Sequence, residues 1–99
     1  MQAYYPPEFE REMGCTEADW LAVLPGATGG RALAVTACAA HVTIGEGSLE
    51  LQWRELPPRQ IALMRIPRLW VSFRFEAVAE EARQRFMRHF DLYTQRGGG

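Results

Sequence analysis

A chain of 99 residues, 47% of them hydrophobic, is sized for one domain with a modest single core. Its net charge of −1 at pH 7 argues against a generic nucleic-acid binder, which would be basic overall. No apolar run reaches the ~20 residues that span a bilayer, and the start, Met1-Gln2-Ala3-Tyr4-Tyr5-Pro6-Pro7, lacks the basic region and apolar core of a secretory signal, so we expect a soluble, cytoplasmic protein with no membrane partner.

Residues 6–13 allow one or two helical turns. Pro7 suits the first helical position, Phe9 and Met13 stand four apart, and Gly14 would end the turn. Residues 16–24 predict a firmer helix. Thr16 is its N-cap, and Asp19 takes the capping-box position three residues later. Trp20, Leu21 and Leu24 make its apolar stripe, and Pro25-Gly26 should end it. Cys15 then precedes the cap and packs against Trp20 as a hydrophobic staple.

Gly26-Ala27-Thr28-Gly29-Gly30 reads as a flexible connector, lacking the lysine and the strand-to-helix setting of a phosphate loop. Its backbone N–H groups and Arg31 leave an anion site open. Residues 31–38 alternate weakly and read as a strand, though their alanines would also allow a helix. Residues 40–54 read as a hairpin. With Glu46-Gly47 as its turn, Ile44 faces Leu49, Val42 faces Leu51 and Ala40 faces Trp53, all on one side of the sheet.

Residues 59–75 have a period of two. The odd positions include Ile61, Leu63, Leu69, Val71, Phe73 and Phe75, a core face. The even positions Met64, Ile66, Arg68, Trp70 and Arg74 mix apolar, aromatic and basic side chains. The parity continues through Pro67, so we expect one long strand with an edge or a bulge at the proline, rather than a tight hairpin there. Residues 77–90 predict an amphipathic helix, with Val78, Ala82, Phe86 and Phe90 in its stripe and Glu80 and Glu81 in its first turns.

The expected fold is α+β: an antiparallel sheet of about four strands with an N-terminal and a C-terminal helix packed on it. The expected core is Trp20, Leu24, Leu33, Val35, Val42, Ile44, Leu49, Leu51, Trp53, Ile61, Leu63, Leu69, Val71, Phe73, Phe75, Val78, Ala82, Phe86 and Phe90. All eleven basic residues are arginine, which we read as the mark of GC-rich coding DNA and a bacterial source.

Chemistry is sparse. The thiols Cys15 and Cys38 and the imidazoles His41 and His89 form no recognisable nucleophilic pair, and their spacing is not that of a zinc site. No catalytic residue, metal ligand or cofactor is assigned. The ending Arg96-Gly97-Gly98-Gly99 resembles the Gly-Gly terminus of ubiquitin-like sulfur carriers and modifiers. That resemblance would imply activation of the C-terminal carboxylate. It covers only these residues, and the β-grasp order of hairpin then helix differs from the order read here.

Two classes of function remain: an interaction or assembly module, and a small-ligand protein or enzyme whose site is assembled from distant residues. The charge asymmetry lets the two halves attract each other, within one fold or between two copies. Residues 1–50 hold seven acids and two arginines, and residues 51–99 hold five acids and nine arginines. Met64, Ile66, Arg68, Trp70 and Arg74 combine the residue types enriched at protein interfaces. We expect this face to bind a second copy or an acidic protein, with Glu8, Glu10, Glu12, Glu17 and Asp19 as complementary charges.

Overall fold

The computed structural model describes residues 4–96; the Gly97-Gly98-Gly99 ending, and with it the carrier reading, lies outside the described residues. The fold is α+β, with two helices and a five-stranded antiparallel sheet. In chain order the elements are β1 (Glu8–Met13), α1 (Glu17–Ala27), β2 (Leu33–Val35), β3 (Ala39–Ile44), β4 (Gly47–Ile61), β5 (Met64–Glu76) and α2 (Glu80–Arg96). The sheet order is β1-β5-β4-β3-β2. α1 therefore carries the chain from one edge of the sheet to the other, and β2 to β5 form a meander.

The fifth strand is the segment expected to be a short helix. Glu8–Met13 pairs with β5, from Glu8 opposite Arg74 to Met13 opposite Leu69. A separation of four satisfies a period of two as well as a helical turn, so Phe9 and Met13 did not discriminate. The alternating acids do: Glu8, Glu10 and Glu12 point outward, while Phe9, Arg11 and Met13 are half-buried. Phe9 stacks on Phe73 with ring centroids 4.7 Å apart.

Thr16 caps α1 as expected, its hydroxyl accepting from the Asp19 N–H at 3.1 Å. The helix runs past Pro25-Gly26, correcting the expected end. Its carbonyls are closed off instead by Thr28, whose hydroxyl donates to the Leu24 carbonyl, and by Gly29 and Gly30 at φ of 72° and 75°. Cys15 and Trp20 are both in the core. α2 starts later and ends later than expected, leaving Val78 in the preceding turn.

The first hairpin turns at Gly45-Glu46, so its register is Ile44 to Gly47, Val42 to Leu49 and Ala40 to Leu51. The expected register was two residues off. Gly45, at φ 60°, supplies the positive φ that the first turn position requires. A shift of two preserves every face, so Val42, Ile44, Leu49 and Leu51 are buried nonetheless.

The 59–75 stretch is not a single strand. It contains a two-residue turn at Ala62-Leu63, where Ala62 takes φ 53°. Glycine is the usual residue at such a position, and its absence hid the turn. Ile61 therefore pairs with Met64. Pro67 does lie at a bulge: the register passes from Leu56–Arg68 to Arg59–Ile66, setting Pro57 and Pro58 against Pro67.

Both helices lie on the face that carries Trp53, Phe73 and Phe75. Trp20 of α1 meets Trp53 edge-on at 5.7 Å, Phe90 of α2 meets Phe73 at 5.5 Å, and Phe86 meets Phe75 at 5.9 Å. Among the described residues, no helix lies over the opposite face of the sheet. Three expected core residues leave the core: Val35 is on the three-residue edge strand β2, and Ile61 and Leu63 lie at the far end of the β4–β5 hairpin. Met87, Ala27, Ala40 and Tyr5 join it.

Tyr5 belongs to a polar clasp. Its hydroxyl donates to Asp91 at 2.5 Å, Arg11 donates to the other Asp91 oxygen at 2.7 Å, and Gln84 pairs with both backbone groups of Tyr5. Burial, and then the bond to Asp91, push the Tyr5 hydroxyl up from 10.0 to about 12. A raised pKa makes a contribution that is complete below the unfolded value and is lost as pH rises through the folded one. Two pH units correspond to at most about 3 kcal/mol. Stability should therefore fall between pH 10 and pH 12, and Tyr5→Phe should flatten that fall, as measured by denaturant midpoints. Phe73→Ala and Phe86→Ala should each cost about 3–5 kcal/mol, whereas Ile61→Ala should stay within about 0.5 kcal/mol. Thermal melts of the three variants check this.

Candidate partner-binding site

β4 and β5 are 15 and 13 residues long, against six for β1 and β3. β1 stops at Leu69 of β5, and β3 stops at Gln52 of β4. Beyond these points the hairpin continues as a two-stranded arm with no strand on either edge and no helix beneath it.

The five residues singled out from the sequence all lie in β5, four of them along the open side of the arm and its root. The partner strand completes a double row that the sequence did not reveal. Arg54 stands opposite Trp70, Leu56 opposite Arg68, Arg59 opposite Ile66 and Ile61 opposite Met64. Leu63 fills the turn and is 100% exposed; Met64 is 63% and Ile61 50% exposed. These missed residues were recoverable only by recognising the turn without a glycine.

The root of the arm is more ordered by charge than its tip. The Arg54 guanidinium lies 4.8 Å from the Trp70 ring centre, and the Trp70 N–H donates to Glu10 at 3.0 Å. Arg68 donates two hydrogen bonds to Glu12, at 2.9 and 3.0 Å, and a third to the Pro57 carbonyl. The bond from Arg68 holds the Glu12 carboxyl below its ordinary value, and Glu12 raises Arg68 in return. Arg74, lower on the sheet, pairs with Glu76 at 3.4 Å. Glu10, Glu12 and also Glu17, which accepts from the Trp53 N–H, thus meet their partners within the chain. They are not a free acidic strip awaiting a second copy.

A groove of about 430 Å³ opens at the root of the arm. Thr36, Ala37, Cys38 and Ala39 form one wall, and Trp53, Arg54 and Trp70 the other. A second concavity, about 320 Å³, lies lower on the open face among Glu8, Glu50, Arg74 and Glu76. A third, about 300 Å³, gathers Arg31, Arg85 and His89 beside Phe86. The backbone N–H groups of Gly29 and Gly30 bond back to Gly26 and Pro25, so they do not face an anion there.

His41 pairs with Glu50, and His89 contacts the Gly26 carbonyl. Among the described residues, no three His, Cys, Asp or Glu side chains gather to hold a metal ion. Among the described residues, no helix is long and apolar enough to cross a membrane. No protein-family model matches the chain, and no curated protein is significantly similar to it in sequence.

The two thiols differ in a measurable way. Cys38 is exposed in the root groove, while Cys15 is buried and its thiol is pushed up by burial and by Asp19. Reaction depends on access and on the thiolate. A thiol-alkylating reagent followed by peptide mass mapping should modify Cys38 in the folded protein and Cys15 only after unfolding.

Proposed function

We propose that this protein is a non-enzymatic interaction or assembly module that docks through the open face of the β4–β5 arm. One observation carries the reading: Ile61, Leu63 and Met64 are held together, exposed, at the tip of a projecting arm. Fully burying a large aliphatic side chain contributes about 1.5–3 kcal/mol, and nothing in the body of the protein provides that burial here. The arm also carries arginine beside tryptophan, the pairing that dominates many binding hot spots. Nucleic acid is the weaker partner. The open face mixes Glu8, Glu10, Glu12, Glu50 and Glu76 among its arginines, and these carboxylates oppose a phosphate backbone.

The test is the double variant Leu63→Ser, Met64→Ser. Its melting should match the wild type to within about 0.5 kcal/mol, because exposed side chains contribute little to the fold. Its associations, followed by sedimentation and by pull-down from cell extract, should weaken on the order of tenfold or more. A folded double variant that keeps every association of the wild type refutes the reading.

A further inference from the structure

We propose that the concavity between the end of α1 and α2 binds a phosphate group, carried by a small molecule as a phosphomonoester. The site stands apart from the arm and is independent of the docking reading. Its volume of about 300 Å³ is at the small end of the range for ligand sites.

Two arginines supply the charge. Arg85 and His89 are four apart on α2 and so share one face. Arg31 approaches from the segment between α1 and β2, and its guanidinium lies 5.6 Å from the centre of the Phe86 ring. Phe86 is in the core, edge-on to Phe75. A fixed aromatic platform therefore restrains Arg31 before any ligand arrives, which lowers the entropy lost on binding.

Arg11, Arg59, Arg68 and Arg74 each pair with a carboxylate. Among the described residues, neither Arg31 nor Arg85 does, although Glu81 stands one turn before Arg85. None of the described residues lining this concavity is acidic. The concavity around Arg74, by contrast, includes Glu8, Glu50 and Glu76.

Balancing the negative end of α1 does not account for this much charge. A helix end carries only about half a charge. Its last carbonyls are already met by the Thr28 hydroxyl and by the N–H groups of Thr28, Gly29 and Gly30. The Gly26 carbonyl can only accept, so His89 Nε2 donates to it at 3.0 Å. The two guanidiniums are left over. A carboxylate would neutralise one of them, whereas a phosphomonoester carries roughly −1.5 to −2 near neutral pH and suits both. The planar fork of arginine also matches phosphate oxygens in pairs. Nucleic acid is disfavoured as the source of the phosphate, because the chain as a whole has a net charge of −1.

The test is a titration of the full chain, followed by backbone amide NMR at constant ionic strength and near neutral pH. Inorganic phosphate and phenyl phosphate should each shift residues 28–31 and 85–89 along saturable curves, and acetate should not saturate. Arg31 and Arg85 are exposed, so Arg31→Gln and Arg85→Gln should melt like the wild type. Each should weaken phosphate binding on the order of tenfold, as expected for a lost charge-assisted hydrogen bond. Arg74→Gln, on the opposite face of the sheet, should leave binding unchanged.

Shifts that spread over arginines of both faces, or binding that persists undiminished in Arg85→Gln, overturn the site. If Arg31→Gln disturbs the packing on Phe86, Arg85→Gln still decides. Acetate binding as tightly as phosphate overturns the assignment of the ligand. Vesicles of anionic phospholipid and a short single-stranded DNA are tested alongside. Tighter binding of either one than of phenyl phosphate, through the same two arginines, overturns the small-molecule source. These outcomes are separate from the arm, which is judged by Leu63→Ser, Met64→Ser.

Discussion

Phe73 fixes the arrangement of the domain. Its ring stacks on Phe9 at 4.7 Å and takes the edge of Phe90 at 5.5 Å, while the Arg11 guanidinium lies 5.1 Å from its centre. One side chain thus joins the edge strand, the central sheet and the C-terminal helix. Trp20, packed against Trp53 and Phe90, closes the same core from α1. Among the described residues the Trp20 indole N–H meets no hydrogen-bond partner, a loss on the order of 1–3 kcal/mol that the core accepts for aromatic packing. Because both helices are drawn to this one face, the other face has only side chains from the strands to cover it. Its long arginines and carboxylates do so by pairing across β1, β4 and β5.

The arm follows from a mismatch of lengths. A sheet is stable where each strand has neighbours on its edges and a layer on at least one face. β4 and β5 outrun both. An isolated two-stranded ribbon is marginal in water. Here Arg68 anchors the root through Glu12 and the Pro57 carbonyl, so the bulge is held by hydrogen bonds from a side chain where the prolines supply no donors. In the outer half Gln60 donates to the Ala62 carbonyl at 3.3 Å, and Ala62 at φ 53° adds backbone strain at the turn. Residues that destabilise a free ribbon and expose its apolar side chains are readily understood if another surface covers them.

Local patterns in the sequence identified most of the body but not the arm. The α2 stripe, the Thr16 cap and the buried row of Leu69, Val71, Phe73 and Phe75 were legible because each obeys one period over many residues. β1 was not, because Phe9 and Met13 fit both periods. The hairpin at 40–54 was legible in its faces but not its register, since a slip of two conserves parity. The Ala62-Leu63 turn was hidden because neither residue is a turn former. Without it, Ile61 and Leu63 seemed to belong with the core row. The even-numbered row from Met64 to Arg74 survived, since parity within β5 does not depend on the turn. Its partners Arg54, Leu56, Arg59 and Ile61 required the pairing itself.

The same pairing changes what the charge asymmetry means. Seven acids in the first half and nine arginines in the second suggested attraction between the halves, within one fold or between two copies. The topology satisfies much of it at home, because β1 crosses back to lie beside β5 and sets Glu10 and Glu12 against Trp70, Arg59 and Arg68. The long-range attraction of the halves therefore helps to close the sheet. What the pairing cannot satisfy is apolar: no element of the body reaches the arm tip, so Leu63 is left entirely in solvent. Electrostatics thus organises the root within one chain, and in the proposed docking the hydrophobic effect is the force left to act at the tip.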